Sequence, residues 1–347
     1  MKTHLNTLYV TTQGAYLAKQ GETVQVRVER KTKAQIPLHN LEGIVCFGRV
    51  GCSPALLGAC AEKGVAVSLF TLYGRFLASV RGFSHGNVLV RRQQYRLADD
   101  PAIALEVSRR IVLAKVANSR SVLLRAVRDA DAASERVAVL EHNASRLAAS
   151  VHELRGAATL DIVRGLEGEA ATHYFSAFDS LLSASTVPEA FRFTARSRRP
   201  PLDPINALIS FLYTLLVHDV RSACEAVGLD SCVGFLHSDR PGKPSLALDL
   251  MEELRAYVAD RLAFSLINRR QITPDGFHRL DNGAVSMDEK TRKTVLVAYQ
   301  ERKRETLTHP VLNESTTVGM IPHLQALLFV RWIRGDMDAY PPFLWKG

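Results

Sequence analysis

Hydrophobic residues in the first 86 positions recur at a two-residue spacing. Val24, Val26 and Val28 alternate with polar residues, which predicts a strand with one buried and one solvated face. Further short apolar runs bounded by glycines lie near residues 44–47, 65–69 and 76–80. Ser53 followed by Pro54 predicts one helix among these strands, because serine caps a helix start and proline fits its first position. This part of the chain is therefore predicted to be a small β-rich domain.

From residue 87 onwards the hydrophobic spacing becomes that of helices. Segments with this spacing lie near residues 101–129, 131–155, 160–182, 204–227, 245–269, 287–307 and 318–335. The predicted helix starts are Pro101, Pro204, Ser245 and Ser286. An Asp-Asn-Gly sequence at residues 281–283 predicts a hairpin turn. The predicted fold class is α+β, with an N-terminal β-rich domain over residues 1–86 and a larger, nearly all-α domain over residues 87–347.

Length and composition are typical of two folded domains. The chain has 347 residues, 47% of them hydrophobic, and a formal net charge of +9, which favours a polyanionic partner such as nucleic acid. The longest apolar stretch, residues 207–217, is shorter than the roughly 20 residues that a membrane helix needs. Polar residues interrupt the N-terminus before a signal-peptide core forms, and the five cysteines lack zinc-site spacing. We expect a cytoplasmic protein that has no membrane partner.

Residues 191–201 combine a cluster of arginines with two phenylalanines. The arginines of this segment are Arg192, Arg196, Arg198 and Arg199. Guanidinium groups suit phosphates and aromatic rings suit unstacked bases, so the segment is a candidate DNA-binding loop. The alternative interpretation is a solvated linker between two helices.

Three acidic or imidazole positions lie in apolar surroundings. Glu167 lies between Gly165 and Gly168 in a predicted helix, although each mid-helix glycine costs about 1 kcal/mol relative to alanine. The glycines suggest that something close to Glu167 requires small neighbours, and the alternative is an exposed glutamate beside a packing contact. His237 ends an apolar run and begins a Gly/Pro-rich loop, where it is either aimed into a cleft or hydrogen-bonded within the core.

Asp249 and Glu252 are three residues apart on a largely apolar predicted helix, so their carboxylates share one face. Two like charges on one face are unfavourable unless a cation intervenes. The cation is either a divalent ion or the side chain of Arg255. Carboxylates together with one imidazole suit Mg²⁺ or Mn²⁺, and such an ion supports phosphodiester chemistry.

Several motifs together resemble the CRISPR-associated endonuclease and integrase family Cas-one. They are Gly-Leu-Glu-Gly-Glu at 165–169, Arg-Arg-Pro-Pro-Leu-Asp-Pro-Ile-Asn-Ala at 198–207, Gly-Phe-Leu-His at 234–237 and Ser-Leu-Ala-Leu-Asp-Leu-Met-Glu-Glu-Leu-Arg at 245–255. Leu-Asn-Thr-Leu-Tyr-Val-Thr-Thr at 5–12, Pro-Leu-His-Asn-Leu-Glu-Gly-Ile-Val-Cys-Phe-Gly at 37–48 and Tyr-Pro-Pro-Phe-Leu-Trp at 340–345 look like the type I-C branch.

The resemblance implies a metal-dependent DNA integrase that inserts new spacers into a CRISPR array by transesterification. Its metal ligands fall on Glu167, His237 and Glu252, with the adjacent Glu253 leaving the third ligand open by one residue. Asp249 matches a second acidic position, which we expect to assist through water or a second ion. Further candidates for DNA contact on the helix after the arginine segment are Asn206, Ser210 and Tyr213; core packing is an equal alternative for Tyr213.

The implied partners are a second copy of the chain, a small protein called Cas-two, protospacer DNA and leader-repeat DNA. The β-rich domain is expected to form the homodimer interface and to make some DNA contacts. Two alternatives remain at this stage. One is a metal-dependent nuclease that cuts branched DNA in repair, and the other is a non-catalytic basic scaffold whose acidic residues form a paired network.

Overall fold

The computed structural model describes residues 7–41, 43–72, 76–80, 82, 88–131, 134–182 and 189–345. The chain divides into two compact units, residues 1–85 and residues 86–347. This division lies one residue before the expected boundary. The first unit contains β1 (Thr7–Val10), β2 (Tyr16–Gln20), β3 (Thr23–Val28), β4 (Lys31–Pro37), β5 (Gly43–Phe47), β6 (Gly51–Cys52), α1 (Pro54–Glu62), β7 (Ala66–Phe70) and β8 (Phe76–Val80).

The strands of the first unit form two four-stranded sheets. One sheet has the order β1-β5-β7-β8, in which only the last pair is antiparallel, and the other has the order β4-β3-β2-β6. Val24 of β3 is fully buried and Val26 and Val28 pack against the same core, as the alternation predicts. Ser53 caps α1 by accepting a hydrogen bond from the backbone N–H of Leu56, which confirms the predicted helix.

The second unit is mostly helical. Its helices are α2 (Val88–Asp99), α3 (Pro101–Arg128), α4 (Glu135–Arg155), α5 (Leu160–Ser176), α6 (Pro204–Ala226), α7 (Ser245–Glu252), α8 (Arg261–Asn268), α9 (Glu289–Arg304) and α10 (Ile321–Ile333). Two antiparallel hairpins accompany them, β9 (Phe277–Arg279) with β10 (Val285–Met287) and β11 (Thr306–Thr308) with β12 (Ser315–Thr317). The first hairpin encloses the predicted Asp-Asn-Gly turn. The predicted α+β class with a β-rich first domain is confirmed.

Helix boundaries follow the capping residues. Asp100 and Asp203 accept hydrogen bonds from the first turns of α3 and α6, so both helices begin at the predicted prolines. The predicted start at Ser286 is wrong, because Ser286 pairs with β9 in the hairpin. The helix of this segment is α9, which begins at Glu289 and is capped by Asp288.

The predicted helix over residues 245–269 is divided into three parts. α7 ends at Glu252, a π-helical segment covers Arg255–Asp260, and α8 then begins at Arg261. Hydrophobic spacing does not distinguish an α-helix from a single wider turn of this kind. Such π-turns are frequent at functional sites.

α6 is the most apolar of the long helices. By length and hydropathy it is one candidate membrane span among the described residues, but more than half of its apolar window is buried inside the unit. Its buried side chains include Leu208, Leu212 and Leu215, and the helix packs against α7 and α10. We interpret α6 as the central core helix of this unit.

Candidate active site

Asp249 of α7 holds the loop that carries His237. Its buried carboxylate accepts hydrogen bonds from the backbone N–H groups of Phe235, Leu236 and His237, at 2.6, 3.0 and 3.0 Å. It also lies 2.6 Å from the ring Nδ1 of His237. Because a carboxylate accepts hydrogen bonds, this contact assigns the imidazole proton to Nδ1 and leaves Nε2 as the free ring nitrogen. Nε2 lies 4.0 Å from Oε1 of Glu252.

Two features of the sequence allow the His237 loop to lie close to Asp249 of α7. A Cβ atom added at Gly234 would lie 2.8 Å from Oδ2 of Asp249 and 2.8 Å from Cβ of Ser245, so glycine is required there. Arg164 of α5 donates a hydrogen bond of 2.8 Å to the carbonyl oxygen of Leu236. The loop is thereby fixed to α7 on one side and to α5, which also carries Glu167, on the other.

Lys115 of α3 joins the two glutamates of the site. Its Nζ atom contacts Oε1 of Glu167 and lies 2.8 Å from Oε2 of Glu252. Oε1 of Glu252 pairs with Arg255 at 2.9 Å. Burial by itself would raise the pKa of Glu252, but Arg255 and Lys115 together lower it to about 2. The Glu252 side chain is therefore a carboxylate at neutral pH although it is buried.

Glu253 is also buried but has different partners. Its carboxylate accepts hydrogen bonds from the Tyr340 hydroxyl, from the backbone N–H of Phe343 (2.6 Å) and from Nε2 of Gln325 (3.2 Å). Burial raises the pKa of Glu253 to about 7. Of these two adjacent acids, Glu252 is the one that shares Lys115 with Glu167 and faces His237.

Two of the three predicted metal ligands, Glu167 and Glu252, share a cation that belongs to the protein, and the third, His237, faces Glu252. Within the described ranges, no group of three His, Cys, Asp or Glu side chains is arranged to ligate a metal ion as it stands. Lys115 lies between Glu167 and Glu252, and among the described residues no donor makes a well-aligned hydrogen bond to Oε2 of Glu252. These oxygens and His237 Nε2 are a donor set that Mg²⁺ or Mn²⁺ accepts, so the residues fit such an ion provided that the ammonium group moves aside.

The position of Asp249 differs from the expectation. Both of its carboxylate oxygens accept hydrogen bonds from protein groups, and the side chain is fully buried behind the imidazole. A role through water or a second ion would require these bonds to be replaced. The geometry instead makes Asp249 a positioning residue for His237, as is common for the second partner of a metal-binding histidine.

The arginine segment is partly folded into the protein. Arg196 donates hydrogen bonds to Oδ1 of Asn206 at 2.6 Å and to Oγ of Ser210 at 3.1 Å, and its guanidinium lies 5.6 Å from the centre of the Tyr213 ring. These contacts attach the segment to α6. They make Asn206 and Ser210 structural partners of Arg196, which differs from the expected DNA contacts.

The two phenylalanines of the segment are buried, so the expected stacking on bases is wrong. Phe191 packs edge-on against Phe277, and Phe193 packs against Phe178. Exposed guanidinium groups remain on Arg192, Arg198 and Arg199. Arg192 is paired with Glu189 at 4.0 Å on the surface.

A cavity of about 20 Å³, enough for one water molecule, adjoins the site. Lys115, Arg198 and Arg255 contribute its cationic walls. Its acidic wall is Asp260, which accepts hydrogen bonds from the hydroxyls of Tyr213 (2.7 Å) and Tyr174 (3.1 Å). Burial raises the pKa of Asp260 to about 6. The cavity is therefore mostly apolar, with three cationic side chains and one acidic side chain among its walls.

Comparison with known proteins supports one family for nearly the whole chain. The family model described as CRISPR associated protein Cas1 matches residues 8–301. A CRISPR-associated endonuclease Cas1 of Chlorobaculum tepidum is 51% identical over 348 residues, which is 100% of both chains. The chain belongs to the Cas1 family.

Two solved structures share the Cas1 fold of this chain. One is a chain of a Cas6-RT-Cas1–Cas2 complex, with a TM-score of 0.83 and 22% identity, where the match covers 100% of this chain and 36% of the other. The second is a casposase bound to its integration product, with a TM-score of 0.81 and 20% identity, where the match covers 96% and 92% of the two chains. At these identities the likeness is one of fold.

Sequence reasoning missed Lys115 in this Cas1 chain. A signal was available, because Lys115 is four residues from Ile111 and four from Ser119, both of which are buried on the same face of α3. A lysine on a buried helix face requires a buried counter-charge. The sequence offers Arg255 as the alternative to a metal ion, and in the structure Arg255 does pair with Glu252.

Proposed function

We propose that this Cas1 protein is the integrase of CRISPR spacer acquisition, a metal-dependent DNA endonuclease and strand transferase. The observation that carries the proposal is that Glu167 and Glu252, from distant parts of the chain, share the Lys115 ammonium group, while His237 Nε2 lies 4.0 Å from Glu252. The adjoining cavity with its cationic walls supports a phosphodiester substrate.

We further propose the assembly in which the protein acts. The chain works in the cytoplasm as a homodimer with Cas2, on protospacer DNA and leader-repeat DNA, and it belongs to the type I-C branch. The β-rich domain forms the dimer interface and contributes to DNA binding. The Cas2 partner is supported by the fold shared with a Cas6-RT-Cas1–Cas2 complex, and integration by the fold shared with the casposase.

In this proposal Glu167, His237 Nε2 and Glu252 hold Mg²⁺ or Mn²⁺. When bound, the ion withdraws charge from the scissile phosphodiester and stabilises the leaving oxygen. Asp249 keeps the proton on Nδ1 of His237, so that Nε2 presents its lone pair. Arg198 and Arg199 bind DNA phosphates outside the cavity, and Arg192 adds positive charge nearby. A 3′-hydroxyl of the incoming DNA is the nucleophile, and no covalent enzyme intermediate is needed.

Strand transfer of a short duplex into a repeat-containing target, with Mn²⁺ or Mg²⁺ and Cas2 supplied, tests the proposal. Glu167→Gln and His237→Ala should each reduce transfer by about 100-fold or more. Glu169→Gln is the matched control, because Glu169 lies on the same helix and pairs with Arg146 at the surface. Full transfer by Glu167→Gln contradicts the assigned site.

The choice of DNA distinguishes this function from its alternatives. Cleavage of branched DNA without a repeat and without Cas2 would identify a repair nuclease. DNA binding with steep salt dependence and no metal-dependent product would identify a basic scaffold. The integrase requires products that join the duplex to the edge of the repeat.

A further inference from the structure

We propose that Lys115 couples metal binding to DNA binding: its ammonium group leaves Glu167 and Glu252 when the metal ion binds, and then pairs with a DNA phosphate held just outside the adjoining cavity. The inference rests on the proposed function and adds a residue and a regulatory step to it. It predicts that metal and DNA each increase the affinity for the other.

Charge balance is the first reason. In the structure, the carboxylates of Glu167 and Glu252 are balanced by Lys115 and Arg255, which pair with them directly. A divalent ion between the same carboxylates would add two positive charges to a balanced group. Because like charges a few ångströms apart repel strongly in a partly buried site, one of the protein cations must move before the ion is stable.

Lys115 is better suited to move than Arg255. Arg255 is held by Glu252 on one side, and its guanidinium lies 5.0 Å from the centre of the Tyr213 ring on the other. The partners found for the Lys115 ammonium are the two carboxylates that the metal would take over. A lysine also carries its charge on a flexible four-carbon stem, whereas the guanidinium is a rigid plane.

The cavity gives the displaced ammonium group a place, but the one acid on its wall already has other partners. Lys115 already forms part of its wall, together with Arg198 and Arg255. The acid on this wall, Asp260, accepts hydrogen bonds from two tyrosine hydroxyls and lies beside the cations Arg255 and Arg196. A displaced ammonium group without an anion is unfavourable in a partly buried site. A phosphate group of DNA held just outside the cavity by the exposed Arg198, which lines the cavity wall, would supply the missing anion.

Linkage makes the consequence measurable. If the metal ion frees Lys115 for a phosphate, DNA affinity rises with metal, and by reciprocity metal affinity rises with DNA by the same factor. Couplings of this kind are commonly about 5-fold to 150-fold. Without Lys115 the metal ion has no competitor. The factor by which metal and DNA raise the affinity for each other therefore falls towards one.

The test compares the full-length wild type with Lys115→Met. Mn²⁺ binding is measured by electron paramagnetic resonance without DNA, and duplex affinity is measured by fluorescence anisotropy with and without Mn²⁺ at one salt concentration. Lys115→Met should bind Mn²⁺ about tenfold more tightly without DNA, because the competing ammonium group is gone, and should show little change in DNA affinity on adding Mn²⁺. Lys293→Met, at an exposed position on α9, controls for the change in net charge.

The outcomes separate this inference from the proposed function. If Lys115→Met binds Mn²⁺ with the same affinity as the wild type and shows undiminished coupling, the role of Lys115 is overturned. The proposed integrase function is not affected by that result. Failure of the wild type to bind Mn²⁺, with or without DNA, overturns both. Lys115→Gln is measured alongside, so that a folding defect in one variant does not decide the result, and thermal unfolding confirms that each variant is folded.

Discussion

Glu252 and Glu253 are adjacent in the chain, yet their carboxylates belong to different parts of the protein. Glu252 pairs with Lys115 and Arg255 at the candidate active site, and its pKa is lowered to about 2. Glu253 accepts hydrogen bonds from Tyr340 and other neutral donors, and burial raises its pKa to about 7. One acid is balanced by charges and the other by neutral hydrogen bonds, so the two have separate roles.

Glutamine substitutions at these two positions should therefore have different effects. Glu252→Gln should reduce strand transfer by about 100-fold or more, because it removes a charged candidate ligand. Glu253→Gln should reduce strand transfer less than about tenfold but lower the free energy of unfolding by about 1–2 kcal/mol, because an amide satisfies its donors less well. Activity assays and urea unfolding measure the two effects. The reverse pattern would identify Glu253 as the ligand.

Asp260 should make the protein less stable as pH rises. Its folded-state pKa of about 6 lies above its ordinary value of 3.8, so the folded protein binds this proton more tightly than the unfolded chain. The stabilising contribution of the proton is complete below the unfolded pKa and is lost as pH rises through the folded one. Between about pH 5 and pH 7.5, wild-type unfolding free energy should fall by about 1 kcal/mol relative to Asp260→Asn. Parallel curves for both proteins would contradict the assignment.

Arg196 and Arg198 should differ in what their removal changes. Arg198→Ala should weaken DNA binding across sequences and reduce the slope of log affinity against log salt by about one, because an exposed phosphate contact is lost. Arg196→Ala should mainly lower thermal stability, since Asn206 and Ser210 lose their partner. Salt-dependent anisotropy and thermal unfolding distinguish the two. Equal salt slopes in both variants would place both guanidiniums on the DNA.

Gly168 should be replaceable by alanine without harm to folding. Among the described residues, no atom outside its own local helix lies within 4 Å of the position that an alanine Cβ would occupy, and the same holds at Gly165. Gly168→Ala should therefore raise the free energy of unfolding by about 1 kcal/mol, the usual helix-propensity difference. We also expect weaker DNA binding, because packing within the described chain does not account for the small residue. A loss of stability would show that the glycine is needed for the fold itself.

The pattern of hydrophobic residues was sufficient for the domain order and most helices. It missed α2, in which polar residues predominate and few side chains are buried, among them Val90 and Gln94. It also merged α7 and α8, because both carry apolar residues and the π-turn between them leaves that pattern intact. Apolar spacing records which face of a helix is buried and carries little information about how two helical pieces are joined.

The candidate site was predicted as a set of residues but not as an arrangement. Glu167, His237 and Glu252 were named from motifs, and the choice between Glu252 and Glu253 depended on a helix rotation that spacing did not fix. The Lys115 contact joins residues 52 and 137 positions apart in sequence, so it depends on how α3 packs against α5 and α7. The sequence does not show the partners of Arg196 for the same reason, since Asn206 and Ser210 lie on a separate helix.

The π-turn at Arg255–Asp260 has a consequence for insertions and deletions. Each residue of an α-helix advances the direction of side chains by about 100°. Removing one residue from this turn would change the phase between α7 and α8, and either Arg255 would lose Glu252 or Asp260 would lose its tyrosines. Chain length is therefore constrained here as strictly as residue type, and homologous chains aligned through this region should tolerate substitutions before they tolerate gaps.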